Sequence, residues 1–278
     1  MRYLKEVLDS RELLANLTLR EIRGQYKRTI FGQLWSLANP LASMLVYTIV
    51  FRFILRVSPP AGDPSGLDIF AVWLLCGLLP WTFFATVVTQ GMGSVIANAG
   101  LVQKVYFPRI VLPLSKVGSV GYNWLFEMGV LVVVLVLCGA FVWPWLLLTV
   151  VAMFLLALFA GGLALMLAVA NVHFRDTQYF VSIVLQIWMY LTPIIYPISL
   201  VEDQSVAYGG LFGTSITLLD IYRLNPLERF VAVFRQLLYD NRWPDPTDLL
   251  LCAIWALGAF VIGIAVFRRN EKKLAEAL

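Results

Sequence analysis

Apolar residues run along this chain in long blocks broken by short polar, glycine- or proline-containing stretches, without the strict alternation of half-buried strands. Six of these blocks, at 31–55, 69–92, 117–142, 146–170, 179–198 and 249–267, come close to or exceed the roughly 20 residues a helix needs to cross a hydrocarbon core about 30 Å thick. The third and fourth are separated only by Trp143, Pro144 and Trp145, the signature of a tight hairpin. The pattern predicts an all-α integral membrane protein with six transmembrane helices. Two less apolar regions flank this body. At the N-terminus, Asp9 and Glu12 have capping-box spacing and precede Leu13, Leu14, Leu17 and Ile22 among charged residues, which predicts an amphipathic helix lying in the membrane surface. Between the fifth and sixth blocks, 199–248 is too polar to cross, yet Phe230, Val233, Phe234 and Leu237 recur at the three- and four-residue steps of one helical face. Short helices folding back against or into the outer leaflet are expected there, capping a cavity.

Composition excludes a water-soluble domain. Of the 278 residues, 60% are hydrophobic and 14% charged, with mean hydropathy +0.80, against roughly 25% charged in soluble proteins. No apolar stretch precedes Ile30, so no signal peptide is expected and the first span serves as its own insertion signal. The 278 residues read as one membrane domain: a cytoplasmic surface helix within 1–30, a six-helix body at 31–267 and a tail at 268–278.

Charge orients the body. In the six-span arrangement, fifteen of the 21 Lys and Arg fall on the side holding both termini and six on the other, where Asp63, Glu228 and Asp240 offset them. Both termini are therefore expected in the cytoplasm. The formal charge of +4 gathers at the ends of spans, which argues against a nucleic-acid partner. Cys76, Cys138 and Cys252 sit in apolar runs without paired spacing and read as packing residues.

Candidate chemistry is sparse. His173, the one histidine, stands at the end of the fourth span with no second histidine, cysteine pair or carboxylate pair to complete a catalytic or metal site. Glu127 is the clear ionisable residue within a span, and its two readings are a hydrogen bond to a neighbouring helix or a part in transport. A proton-driven carrier would show a relay of such groups. The phosphate-cradling pattern G-x-x-x-x-G-K-[ST] is absent, so any ATPase is another polypeptide. Its handle would be the stretch Leu101, Val102, Gln103, Lys104, Val105, Tyr106, Phe107, Pro108 and Arg109, where exposed-looking hydrophobes carry a charged rim suited to a partner's groove, the other reading being a membrane-surface loop buried in lipid head groups. The aromatics Tyr47, Phe51, Trp81, Phe84, Trp188, Tyr190 and Tyr196 are candidate lining for a path along which sugars, with their apolar faces and polar edges, would slide. The other reading of each is an interfacial aromatic facing lipid.

Several stretches together resemble the ABC-2 type permeases that export O-antigen, capsule or teichoic acid: Tyr26-Lys-Arg-Thr-Ile-Phe-Gly-Gln-Leu-Trp-Ser-Leu-Ala-Asn-Pro40, Lys104-Val-Tyr-Phe-Pro-Arg109, Asn171-Val-His-Phe-Arg-Asp176, Leu191-Thr-Pro-Ile-Ile-Tyr-Pro197 and Leu224-Asn-Pro-Leu-Glu228. They follow the family's order over nearly the whole chain. The resemblance implies a homodimer of this chain in the bacterial cytoplasmic (inner) membrane, joined to two copies of a separate ATP-binding subunit that would hold the ATP and Mg. This chain would carry no cofactor and no catalytic residue. The stretch 101–109 would be the coupling region, the N-terminal helix a gate helix, and the first and fifth spans the border of a channel at the dimer centre. The substrate would be a polysaccharide on a polyprenyl diphosphate, whose head group Arg20, Arg23, Lys27 and Arg28 would attract. The alternative within the same family is export of a small lipid or drug.

Overall fold

The structure is a computed structural model describing residues 10–27, 29–57, 60–208 and 217–274, with nothing described of the Lys272 side chain. Asp9, Arg28, Leu211 and Phe212 lie outside the described residues. All described regular structure is helical: α1 (Arg11–Gln25), α2 (Trp35–Tyr47), α3 (Phe70–Ala97), α4 (Ala99–Lys104), α5 (Val111–Leu137), α6 (Leu146–His173), α7 (Thr177–Tyr190), α8 (Ser199–Tyr208), α9 (Leu218–Arg223), α10 (Pro226–Leu238) and α11 (Pro246–Leu274). One 3-10 turn, Gly32–Leu34, leads into α2 and another, Trp143–Trp145, into α6, and α2 continues as a π-helical turn over Thr48–Ile54.

Among the described residues five helical stretches are long and apolar enough to cross a membrane: Gly32–Ile54, Phe70–Ala97, Val111–Leu137, Trp143–His173 and Pro246–Glu271. They correspond to the first four and the last of the expected spans. The block at 179–198 is not among them. It forms the 14-residue helix α7 followed by an irregular turn. At about 1.5 Å per residue α7 covers roughly 21 Å, short of a hydrocarbon core. The chain nevertheless changes ends between α6 and α11. These two helices run parallel, with Trp145 and Trp243 in ring contact at one end (6.2 Å) and Val169 and Val172 clustered with Phe267 and Leu274 at the other. Between them the backbone returns through α7 and the turn.

The bundle is built on α3, whose apolar window is largely buried. Small residues let its neighbours approach: a Cβ on Gly91 would press on Ala164 of α6, and one on Gly162 of α6 would collide with the backbone of Ala259 and Phe260 of α11. Rings fill the middle. Phe83 stacks on Trp124 at 4.0 Å, Phe84 on Phe159 at 5.6 Å, and the face predicted around Phe230 and Phe234 places α10 against Phe159 and Trp124. Because Trp124 and Phe159 are near the midpoints of α5 and α6, α10 is a re-entrant helix embedded in the bundle. The second cluster joins Leu17 of α1, Phe107, Ile110 and Val111 to Phe267 and Leu274 of α11, so the two described chain ends share one end of the bundle.

The irregular turn after α7 is held by side chains. Pro193 lacks an N–H and ends helical bonding there. The Arg235 guanidinium donates to the carbonyls of Pro193 and Ile194, both at 2.7 Å, while lying over the Trp73 ring at 3.6 Å. Asn225 caps α10 by accepting from the Leu227 N–H, accepts from Trp188 Nε1 at 2.8 Å, and donates to the Thr192 hydroxyl at 2.9 Å. Non-helical backbone at this depth persists because protein groups satisfy it.

Candidate functional site

Three features of this bundle bear on function: an exposed loop, a basic helix face and two open aromatic stretches. The loop is short because α4 stops at Lys104 and Pro108 blocks the helix from continuing into α5. It divides into a foot and a tip. Val102 and Phe107, which read as exposed from sequence, are instead buried with Leu17, Ile110 and Leu274. An apolar residue flanking a tight turn can pack inward, and here the end of the bundle supplies a cluster to receive it. Arg109 is tied to α11, its N–H donating to Glu271 Oε1 at 2.6 Å and its guanidinium to the Glu271 carbonyl at 2.5 Å. Leu101 and Pro108 are half-buried, and Gln103, Lys104, Val105 and Tyr106 project outward, with Tyr106 95% exposed. A rigid foot with an apolar and cationic tip is what a docking knob requires.

The basic face lies on α1. Arg20, Arg23 and Lys27 follow at helical spacing and, with Asn16, Leu19 and Gly24, bound a surface groove. Arg20 donates to Asn98 Oδ1 at 2.9 Å and contacts Glu21 at 3.2 Å. The opposite face of α1 is fastened to α5 by an ion pair between Lys116 and Glu21 at 2.6 Å and a bond from Asn123 Nδ2 to Gln25 Oε1 at 2.8 Å, with Thr18 seated against Gly118. Burial raises the Glu21 carboxyl, but the bonds and charge of Lys116 and Arg20 outweigh it and hold it below the ordinary glutamate value.

The aromatic candidates separate. Phe84 is fully buried and Trp81 nearly so; with Phe159 and Trp188 they form core packing and line no surface of this subunit. Their place on α3, the most enclosed helix, is the reason. Trp188 is half-buried and spends its indole N–H on Asn225. Tyr47 and Phe51 meet edge to face at 6.4 Å on the outward-facing first span. Tyr196 donates to the Tyr190 carbonyl at 2.8 Å and lies 3.0 Å from the Tyr222 hydroxyl. Tyr47 and Phe51 lie on the first span and Tyr190 and Tyr196 at and after the end of α7, two open stretches that also leave Leu45, Phe53, Phe180 and Ile187 more than half exposed.

The sequence gives Arg235 and Asn225 no individual role, Asn225 figuring only within the stretch Leu224-Asn-Pro-Leu-Glu228 that carries the family resemblance. The dipeptide Asn225-Pro226 was an available signal, since Asn at N-cap and Pro at N1 open a helix. His173 bonds its own helix at the Val169 carbonyl, and the three cysteines are free, two of them buried. Among the described residues no group of three or more His, Cys, Asp or Glu could hold a metal.

The sequence matches those of known proteins over nearly its whole length. Residues 12–239 match the family described as ABC-2 type transporter. The chain is 30% identical over 279 residues to the O-antigen export system permease protein RfbA of Myxococcus xanthus, covering 100% of both chains. It is 29% identical over 270 residues to a protein of that name from Klebsiella pneumoniae, covering 96% of this chain and 95% of the relative. It is 26% identical over 266 residues to the polysialic acid transport protein KpsM of Escherichia coli, covering 93% of each. With a multi-pass helical bundle and a family match over most of its length, this chain belongs to the ABC-2 type transporter family.

Proposed function

We propose that this chain is the transmembrane subunit of an ATP-driven exporter that moves a polysaccharide, carried on a polyprenyl diphosphate, outward across the bacterial cytoplasmic membrane. The observation that carries the reading is similarity over the full length to permeases named for O-antigen export and to one named for polysialic acid transport. Those names favour a glycan over a small lipid or drug. A family permease whose sequence lacks the phosphate-binding pattern takes its energy from an ATPase on another chain, and two copies of each subunit make the working complex. ATP and Mg belong to that partner.

The geometry supplies a route for the stroke. The ATPase bears on Gln103, Lys104, Val105 and Tyr106. The foot of that loop leads directly through Ile110 into α5, and Arg109 carries force to the end of α11. Because α5 holds α1 through Lys116 and Asn123, α1 moves with it and swings the basic face of Arg20, Arg23 and Lys27, which receives the diphosphate. The open stretches bearing Tyr47, Phe51, Tyr190 and Tyr196 pair with their copies in a second subunit to border the path. Both termini and the loop face the cytoplasm, where the excess of Lys and Arg belongs.

Depletion of the protein in its host tests the reading. A lipid-linked glycan accumulates inside the cell, and it clears when the chain is restored but not when Arg20, Arg23, Lys27 and Arg28 are all replaced by Gln. Absence of any accumulated glycan refutes the substrate assignment.

A further inference from the structure

Between α1, α2, α3 and α5 lies a cavity of about 250 Å³ with walls more polar than its surroundings. That is several times the roughly 30 Å³ share of one liquid water and slightly below the roughly 300–1,000 Å³ of sites for drug-sized ligands. Two residues of its wall, Asn123 and Trp124, carry buried, unpartnered groups of opposite kind. Asn123 Oδ1 is an acceptor without a donor, and Trp124 Nε1 is a donor without an acceptor; their residues are 7% and 3% exposed. A buried polar group left without a partner is costly, so the pair marks a place where something else bonds.

The remaining walls define what fits. The Tyr26 and Ser36 hydroxyls sit alongside the Glu127 carboxyl. Pro40 faces the cavity and cannot donate to the Ser36 carbonyl, leaving a further acceptor on the same turn of α2. Thr86 adds a hydroxyl from α3, and Trp35, half exposed, adds an aromatic wall. A ligand bearing several hydroxyls can donate to an acceptor such as Asn123 Oδ1 and accept from a donor such as Trp124 Nε1, which neither a cation nor an apolar chain can do. Several hydroxyls on a small ring with apolar C–H faces suit the mixture of amide, carboxyl, hydroxyl and indole. We infer that this cavity binds a single neutral sugar ring, the one adjoining the lipid diphosphate.

Its position supports that assignment. Tyr26 on the cavity wall lies between Gly24 and Lys27, which with Arg23 bound the basic groove of α1. A diphosphate in that groove leaves the first attached ring about one helical turn from the cavity. The cavity would thereby distinguish a loaded lipid from an empty one, a task the basic groove alone cannot perform. The inference rests on the lipid-linked reading above, and the two are separable by experiment.

The full permease–ATPase complex in nanodiscs is titrated with two probes, a bare polyprenyl diphosphate and the same lipid bearing one neutral pyranose. The wild type is expected to bind the sugar-bearing lipid about tenfold more tightly. Glu127→Gln combined with Ser36→Ala, two changes that keep the shape of the cavity, should abolish most of that difference while leaving affinity for the bare lipid unchanged; Thr86→Val gives a second test if the pair proves unstable. Replacing Arg20 and Arg23 by Gln should weaken both lipids alike. Equal binding of the two probes by the wild type, or a difference that survives the cavity variants, overturns the sugar site while leaving the lipid-linked reading intact. Failure of both probes to bind overturns both.

Discussion

Arg235 offers the sharpest test of how the break after α7 is held. Its guanidinium makes two bonds of 2.7 Å to successive carbonyls, Pro193 and Ile194, and covers Trp73 at 3.6 Å. Hydrogen bonds to a charged donor contribute about 1.5–3 kcal/mol each, and a cation over an indole about 0.5–2 kcal/mol. Arg235→Ala removes all three and leaves two carbonyls without donors in the bundle. Allowing for relaxation and for water reaching the gap, a loss of roughly 3–5 kcal/mol is expected. Arg235→Lys keeps the charge but is a point donor without the planar fork, so it should recover about half.

The assay is chemical or thermal unfolding of the purified protein in one fixed detergent, followed by hydrogen exchange. In Arg235→Ala, exchange should rise at Ile194, Ile195 and Tyr196 before it rises in α3 or α6, because the turn loses its holder first. If alanine costs less than about 1 kcal/mol, or if lysine matches the wild type, the guanidinium is not what satisfies this backbone.

Gly162→Ala forces a methyl into the backbone of Ala259 and Phe260, so it should cost about 1–3 kcal/mol or more, whereas Gly258→Ala, with nothing within 4 Å, should be neutral or slightly stabilising; paired melting curves check both. At the loop, Tyr106→Ala should leave the melting temperature unchanged but reduce co-purification of the ATPase subunit, while Phe107→Ala should lower stability by about 3 kcal/mol. Burial lifts the Glu228 carboxyl to about 7 despite the opposing charge of Arg229. The unfolded chain therefore releases this proton first as pH rises from about 4.5, and stability falls until about pH 7 and then levels off. The loss is at most roughly 3.5 kcal/mol at about 1.4 kcal/mol per pKa unit. Glu228→Gln should flatten this part of the stability profile, measured by denaturant titration between pH 4.5 and 8.

Helix periodicity, and the length of five of the six apolar blocks, were legible in the sequence because they follow from transfer of side chains out of water. Phe230, Val233, Phe234 and Leu237 repeat at helical steps, and all four are buried on α10. Destination was less legible than period. Trp81 and Phe84 lie in an apolar run much as Tyr47 and Phe51 do, and hydrophobicity does not say whether a ring meets a core, a path or lipid. What separates them is the position of α3 inside the bundle and of the first span at its edge, which depends on every other helix. Val102 and Phe107 illustrate the same ambiguity in a loop. They differ from Val105 and Tyr106 only in that the end of the bundle happens to receive them.

The block at 179–198 shows where hydropathy itself misleads. It is apolar enough to read as one helix, and transfer free energy alone rewards any arrangement that removes its side chains from water. The backbone decides otherwise: Pro193 and Pro197 each subtract a donor, and the helix ends at Tyr190. A broken segment of this kind would be costly in lipid unless its carbonyls found donors. Those donors come from α10 and its cap, Arg235 and Asn225, some 30 to 40 residues further along the chain. The re-entrant α10 is therefore the condition under which α7 can stop short. The polar segment that looked too hydrophilic to belong in the bundle is what allows the apolar one before it to break.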